Sequence, residues 1–294
     1  MSSTKRGRQP LGTVRQKHKK YHCGVCGEKR RMTAAHVPPQ CAGNSMITPE
    51  YKLMVKEGVV SVGRNKLGGI HFLGHCADCN SRIGERYDQA YGDFAALMRA
   101  AWVKDWRISC PPIIEVSGGN FYPGRVIRSI VLGMCAVEPS IYTKHPAFVV
   151  GLMDGSAVEF PGDTRLFLAL ARGMSARVNG VVGGIYTMGP KHRYADDRTP
   201  IGILSTASVY FPPLAWELAN SEKSFLPDDG WADVSEWAKL SPGEQHDVSE
   251  YFTRLPVVAH PQHSPDSHED WTVRGSHSMV QSLCGLGLVG RGPL

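Results

Sequence analysis

The stretch CGVCGEKRRMTAAHVPP, residues 23–39, places a close pair of cysteines upstream of a histidine and a proline turn. A second stretch, GGIHFLGHCADCNSRIGERYD at residues 68–88, contains another pair with the same spacing. Because the two thiols of a C-x-x-C loop can reach one ion, two such loops complete a tetrahedral sulfur site. The sequence therefore predicts a structural Zn²⁺ site formed by Cys23, Cys26, Cys76 and Cys79.

The loop between the two pairs is long, with 49 residues separating Cys26 from Cys76. Loop closure is still permitted, since each doubling of loop length costs only about 0.6 kcal/mol. Two unrelated cysteine pairs are the alternative, and Cys41 is a spare candidate ligand. Four thiolates leave no open coordination position, so we expect this zinc to be structural and not catalytic.

Composition and charge indicate a protein outside the membrane. The chain has 294 residues, 42% hydrophobic and 20% charged, as is ordinary for a globular protein. The first residues lack the apolar segment of a secretory signal, and no run approaches the length of a membrane helix. We expect a cytoplasmic protein with no membrane partner.

Positive charge is concentrated at the N-terminus, where residues 1–31 hold ten Lys and Arg residues and one acid, Glu28. Such an arm suits phosphate backbones, since each neutralised phosphate releases counterions; a solubilising tail is the alternative. DNA is the preferred partner over RNA, although a basic arm does not distinguish the two sugars. The predicted nucleic-acid contacts are Lys17, Lys19, Lys20, Arg30, Arg31, Arg82 and Arg86.

We expect an α+β protein with four parts. These are a basic flexible arm at residues 1–20, a cysteine-containing module at 21–104, a mixed α/β domain of undetermined role at 105–222, and an extension at 223–294 that is acidic and then poorly ordered. The C-terminal part is the candidate surface for a protein partner or a second copy of the chain.

Hydrophobic patterns predict the elements inside these parts. Residues 57–74 indicate two short strands around a glycine turn, and the segment after Cys79 indicates a helix. Residues 124–137 and 163–173 also indicate helices, the latter between Asp163 and Gly173, and residues 233–240 a helical piece. Strands are expected within 176–189 and within 201–216, the latter ended by Pro212 and Pro213.

Residues 21–92 resemble the HNH endonuclease superfamily in its zinc-bearing ββα-metal form. The motifs that carry the resemblance are Cys23-x-x-Cys26, TAAHVPP with His36 and Pro38, and IHFLGHCADCNSRIGERYD with His71, Cys76, Cys79, Asn80, Gly84 and Asp88. The resemblance implies a ββα-metal module in which His36 activates water as general base. It further implies that Asn80 helps to hold a catalytic Mg²⁺ or Mn²⁺ and that His71 braces the site.

The physical logic does not depend on the family. Phosphodiester hydrolysis needs a deprotonated water, a Lewis acid and rigid placement of both. A neutral imidazole can accept the proton, and an amide oxygen suits Mg²⁺. Structural alternatives remain: a zinc-associated role for His36, a helix N-cap for Asn80 and a satisfied strand histidine for His71.

One position departs from the family pattern, because Ala35 stands where a second metal ligand usually precedes the histidine. Water, His75 or Asp78 are the candidates to replace it. Asp88 is eight residues beyond Asn80, about 12 Å along a straight helix. We therefore expect Asp88 to be structural, or a partner of Arg82 or Arg86.

Three functions compete. The first is a metal-dependent HNH endonuclease that cuts DNA in restriction, antiphage defence or phage DNA processing. The second is a non-catalytic zinc protein that binds DNA or RNA, and the third is a scaffold for protein assembly. Walker-type, dinucleotide-binding and nucleophile-elbow motifs do not occur in the sequence.

Overall fold

The computed structural model of the chain describes residues 19–45, 48–49, 54–56, 59–61, 65–66, 68–99, 113–115, 118–171, 176–180, 182–183, 203–220, 231–251 and 254–258. The first 18 residues of the predicted arm, which include Lys17, lie outside the described residues. The same holds for residues 259–294.

The described part of residues 19–99 contains short strands followed by a long helix. The strands are β1 (Lys20–His22), β2 (Lys29–His36), β3 (Thr48–Pro49), β4 (Met54–Lys56), β5 (Val59–Ser61), β6 (Asn65–Lys66) and β7 (His71–Cys76). A 3₁₀ turn at Gln40–Ala42 follows β2. The helices are α1 (Ala77–Ile83) and α2 (Gln89–Arg99), joined by a π-helical turn at Gly84–Asp88.

The strands that matter for the site are β1, β2 and β7, which form an antiparallel sheet in that order. The predicted strands within residues 57–74 are present, but their pairing as one hairpin is wrong. β7 pairs with β2, β5 pairs with β4, and β6 pairs with β3. The physical reason is that β2 offers β7 a long partner strand, whereas β5 and β6 span only three and two residues.

The predicted helix after Cys79 forms, and its apolar positions face the interior. Ile83, Tyr87, Tyr91, Phe94 and Met98 are all buried, while Trp102 lies outside the described residues. The π-helical turn in the middle is not predicted by the residue pattern. It adds a residue to one turn and changes which side chains share a face.

The remaining described chain has two short strands, then three helices, and then a series of strands. Its helices are α3 (Pro123–Val137), α4 (Ser140–Lys144) and α5 (Pro146–Asp154), with 3₁₀ turns at Ser235–Lys239 and Val248–Glu250. Its strands are β8 (Ile113–Glu115), β9 (Asn120–Phe121), β10 (Thr164–Ala171), β11 (Arg177–Asn179), β12 (Val182–Gly183), β13 (Ile203–Ser205), β14 (Ala207–Phe211), β15 (Leu214–Asn220), β16 (Ala232–Asp233), β17 (His246–Asp247) and β18 (Arg254–Val258).

A larger sheet runs in the order β11, β14, β15, β10, β18, β8, with β16 also paired to β10. The predicted helix over residues 163–173 is wrong, because Thr164–Ala171 forms the central strand β10. A short apolar run fits a buried strand and a buried helix equally well, and its neighbours on the sheet decide between them. Pro212 and Pro213 turn the chain between β14 and β15, as their predicted strand-ending role requires.

Helix α3 is the central helix of the molecule, and its prediction is confirmed. Its apolar stripe is fully buried, with Val126, Ile127, Ile130, Val131 and Met134 exposed by 1% or less. Arg128 is also buried, and its guanidinium donates hydrogen bonds to the carbonyls of Gly124, Ser156, Ala238 and Leu240. The predicted helical piece at 233–240 is present as a 3₁₀ helix at Ser235–Lys239.

One apolar cluster connects the small sheet, α2, α3 and the larger sheet, from Cys23 to Val248. β7 crosses the C-terminal end of α3 so closely that a Cβ atom on Gly74 would lie 2.2 Å from the carbonyl oxygen of Ala136. Only glycine permits this approach. The molecule is therefore a mixed helix and sheet protein, in agreement with the α+β expectation.

Among the residues that the structure describes, no helix combines the length and the apolar character that a membrane span requires.

Candidate functional site

The four predicted cysteines meet at one end of the small sheet. Cys23 and Cys26 lie in the turn between β1 and β2, Cys76 ends β7, and Cys79 lies in the first turn of α1. Their Sγ atoms all lie within 4.8 Å of one another, and those of Cys26 and Cys76 are 4.0 Å apart. The sequence thus correctly predicts which thiols gather.

This cluster fits a zinc ion. Zinc–sulfur bonds of about 2.3 Å in a tetrahedron place the sulfurs about 3.8 Å apart, close to the spacing here. The backbone amides of Val25 and Cys76 point at the Cys23 sulfur at 3.5 and 3.4 Å, and such donors stabilise a thiolate. Tyr142 of α4 donates a hydrogen bond to the Cys26 carbonyl at 3.1 Å, which holds the turn from outside.

The thiols influence one another's protonation. A hydrogen bond from Cys79 lowers the pKa of Cys23 to about 4, and the same interaction raises the pKa of Cys79. Burial raises the pKa of Cys26 to about 11. Four thiolates so close together repel one another, and a divalent cation removes that repulsion, so metal binding releases protons.

His36 and His71 face each other at the opposite end of the β2–β7 pair. The two residues are direct cross-strand partners, and their ring centroids are 5.5 Å apart. Burial and, to a smaller degree, the neighbouring His71 lower the pKa of His36, against an opposing effect from the backbone of Asn44. A lowered pKa favours the neutral imidazole, which is the form that accepts a proton.

The loop after β2 positions the His36 ring. The Gln40 side-chain nitrogen lies 3.1 Å from Nε2 of His36. Asn44 is fully buried and ties the loop to β7, since its amide donates to the carbonyls of Pro38 and Ile70 and its oxygen accepts from the Ile70 amide. The sequence analysis did not identify Gln40 or Asn44. The only signal in the sequence that could have found them is their position just after the histidine–proline turn.

Asn80 lies in α1 and does not cap it, because the N-cap residue is Cys76. Its side-chain nitrogen donates to the carbonyl of Ala34 at 3.2 Å. This bond ties the helix to β2 and leaves the amide oxygen as the group that can accept a cation.

A cavity of about 520 Å³ opens between β2, α3 and the helical segment that runs from α1 through the π-helical turn. Its polar lining includes His36, Gln40, His75, Asn80, Asp88 and Ser129. Ala35 is 2% exposed, and its side chain offers no ligand atom. His75 is buried, and its Nε2 bonds to the carbonyl of Leu132 at 2.9 Å; since a carbonyl only accepts, this nitrogen carries the proton and links β7 to α3.

The predicted cationic contacts divide into two groups. Arg30 forms ion pairs with Glu28 and Asp78, Arg82 pairs with Asp154 at 3.3 Å, and Arg86 donates to the carbonyl of Met153 at 3.0 Å. Asp78, a predicted replacement for the ligand missing at Ala35, is exposed and pairs with Arg30. It is not among the residues that line the cavity.

The second group lies on one face of the β1–β2 ribbon, beside the exposed Lys19. Lys20 is the cross-strand partner of Arg31, and His22 is the partner of Lys29, so these four side chains share a face. We call this surface, formed by Lys20, His22, Lys29 and Arg31, the cationic face. Within the described parts of the chain, Lys20, Lys29 and Arg31 contact no carboxylate.

Comparison of the chain with protein-family models, with curated proteins and with solved structures finds no match.

Proposed function

We propose that the chain is a metal-dependent endonuclease of the HNH type that hydrolyses phosphodiester bonds in DNA. The observation that supports this proposal most is the pairing of His36 with His71 beside a polar cavity that also receives Asn80. Two antiparallel strands followed by a helix bring these three residues together, as a ββα-metal module would. The four-cysteine cluster lies at the other end of the same strand pair.

In this proposal His36 is the general base. Partial burial keeps the ring neutral, and the contact with Gln40 restricts its rotation. His71 packs against the ring from the neighbouring strand and limits its movement. A base that is already oriented avoids the entropy of finding its geometry with each turnover.

Asn80 is the proposed ligand for a catalytic Mg²⁺ or Mn²⁺, through its amide oxygen. When bound, such an ion supplies Lewis-acid stabilisation of the charge that develops on phosphate oxygens. The chain's own contribution is to fix Asn80, through its hydrogen bond to Ala34, in the lining of the cavity that His36 also lines.

The zinc ion proposed for the cysteine cluster has a structural role. It would join the β1–β2 turn to the first turn of α1 and thereby fix the strand that carries His36 relative to the helix that carries Asn80. With four sulfur ligands it has no position for water or substrate.

The cationic face is the proposed surface for the nucleic-acid backbone. Like charges directly across a strand pair are unfavourable, and a polyanion removes this cost. Arg30, Arg82 and Arg86 are weaker candidates than the sequence indicated, because each already has a partner within the protein.

Cleavage of supercoiled plasmid DNA tests the nuclease. The wild-type protein, with its zinc retained, is incubated with Mg²⁺ or Mn²⁺ and in buffer without either ion, so that loss of the catalytic ion is not confused with loss of zinc. We expect metal-dependent nicking that His36→Ala abolishes. His145→Ala is the control, because His145 does not line the cavity.

A non-catalytic zinc protein that binds nucleic acid is the second candidate, and the buried Ala35 favours it by leaving one usual ligand position empty of donor atoms. Retardation of the plasmid on a gel without cleavage by either protein would support this function against the nuclease. If the protein forms an oligomer and nucleic acid does not change it, the result would instead support the third function, a scaffold for protein assembly.

A further inference from the structure

The cavity beside His36 and Asn80 has one acidic residue in its lining, Asp88. We propose that Asp88 supplies the carboxylate of a divalent-cation site for Mg²⁺ or Mn²⁺ in this cavity, in place of the ligand that Ala35 cannot provide. The cation's part in hydrolysis rests on the proposed nuclease function, whereas the site itself does not.

The π-helical turn is what directs Asp88 to the cavity. In a regular α-helix each residue rotates by about 100°, so a residue eight positions after Asn80 would lie about 80° away from it around the axis. The turn at Gly84–Asp88 adds a residue, which removes roughly one such step. Asp88 therefore returns to the helix face of Asn80, and both residues line the cavity.

Gly84 keeps the path between these two residues open. It lies one turn after Asn80 and one turn before Asp88, and a Cβ atom placed on it would lie 3.7 Å from Oδ2 of Asp88. A side chain at this position would contact Oδ2, the carboxylate oxygen that Ser129 does not engage. The glycine leaves that oxygen accessible.

Among the residues that the structure describes, no cationic side chain forms an ion pair with this carboxylate. Oδ1 of Asp88 accepts a hydrogen bond from the Ser129 hydroxyl at 2.8 Å. Arg82 and Arg86, which the sequence offered as partners, instead contact Asp154 and Met153. Burial raises the pKa of Asp88, as expected for a carboxylate that lacks a nearby positive group among the described residues.

The ligand types suit a hard divalent cation. Mg²⁺ prefers carboxylate and amide oxygens and retains several waters. Asp88 can consequently hold the ion directly, while Asn80, about two helix turns away, can reach it through one of the waters that the ion retains. Ser129 fixes the carboxylate from α3, as the groups behind metal ligands commonly do.

Binding of Mn²⁺ to the zinc-loaded full chain, followed by electron paramagnetic resonance and calorimetry, tests the site. Asp88→Asn preserves the shape and can still accept from Ser129, and we expect it to weaken Mn²⁺ binding by about tenfold or more. Asp93→Asn is the matched control, since Asp93 is exposed on α2 and does not line the cavity. Equal affinities of wild type and Asp88→Asn, or no Mn²⁺ binding by the wild type, would overturn the proposal.

Gly84→Ala provides a second test that does not depend on the folding of Asp88→Asn. Gly84 has helical φ and ψ values, and the added methyl group would be at ordinary contact distance. We expect unchanged or higher thermal stability together with Mn²⁺ binding weakened severalfold, because the methyl covers Oδ2. Unchanged Mn²⁺ affinity in this variant would count against the site.

DNA cleavage by the same proteins separates the two proposals. If the wild type binds Mn²⁺ through Asp88 but cuts no DNA, the cation site stands and the nuclease falls. If the wild type cuts DNA and Asp88→Asn shows the same dependence on Mn²⁺ concentration, the nuclease stands and the assignment of Asp88 is wrong.

Discussion

The cysteine region, residues 19–99, and the sheet region, residues 113–258, are stabilised in different ways. In the first, four thiols close the end of a three-stranded sheet. In the second, apolar strands pack with aromatic side chains such as Trp216 and Trp237, and no second cluster of metal-ligating side chains occurs among the described residues. The two interiors meet where Trp216 donates a hydrogen bond to Tyr91 at 2.9 Å.

The candidate functional groups therefore lie in the region that contains the cysteine cluster. The sheet region derives its stability from burial, which many sequences can provide. The cysteine region holds its polar cavity and cationic face on short strands whose turn contains little apolar surface. A metal ion is a compact way to fix such a turn.

The largest expected effect comes from Cys76→Ser. Structural zinc contributes about 10–16 kcal/mol of binding free energy in small zinc modules, so losing one ligand should abolish stoichiometric zinc and lower the thermal midpoint substantially. Elemental analysis and circular dichroism measure both. Cys41→Ser is the control outside the cluster, and one retained equivalent of zinc in Cys76→Ser would contradict the assignment.

Trp216→Ala should have the next largest effect on the free energy of unfolding, and it tests the contribution of apolar burial in the sheet region. Removal of a large buried aromatic side chain costs about 3–5 kcal/mol, yet zinc content should stay at the wild-type value. Denaturant unfolding and zinc analysis check this. Val150→Ala, at a site 43% exposed, should change stability little, and zinc loss in Trp216→Ala would show that zinc binding depends on the packing around Trp216.

Arg31→Gln and Arg30→Gln compare two neighbouring arginines on opposite faces of β2. We expect Arg31→Gln to weaken nucleic-acid binding and reduce the slope of log affinity against log salt by about one. Arg30→Gln should have little effect, because Arg30 already pairs with Glu28 and Asp78. Salt titrations of binding measure the slopes, and equal losses would refute the division into two faces.

The smallest expected effect is a change in the free energy of unfolding at low pH. Hydrogen bonds from the Ser249 hydroxyl and backbone amide lower the pKa of Asp247, which caps the turn at Val248–Glu250. Its stabilisation is present above its unfolded pKa of about 3.9 and is lost as the pH falls through the lower folded value. Asp247→Asn keeps a capping side chain without this titration, so the stability difference from wild type should shrink below about pH 4 in urea unfolding.

Spacing alone predicts that the four cysteines gather, because two C-x-x-C loops have few other ways to satisfy a metal. The helix over 124–137 is predicted equally well by its apolar stripe. The strand at Thr164–Ala171 is not, since its run of apolar residues fits a helix too, and only pairing with β15 and β18 determines its conformation.

Parts of the candidate site depend on distant contacts that no local pattern contains. The basic run at residues 29–31 does not reveal that Asp78 approaches Arg30 and not Arg31. Similarly, a regular helix places Asp88 about 80° around the axis from Asn80, and the π-helical turn that brings both onto one face leaves no signature in residue type. Local patterns predict elements, whereas the contacts between elements decide which charges remain available.

The close crossing of β7 over α3 at Gly74 has a consequence for the transfer of this site to other proteins. The carbonyl of Ala136 occupies the space of a side chain at Gly74, and His75 bonds to the carbonyl of Leu132. A fragment that ended near residue 104 would leave this backbone surface and the buried Val37 facing solvent. Grafting the two cysteine pairs and their histidines into a new scaffold would therefore also require a helix with the position and small clearance of α3.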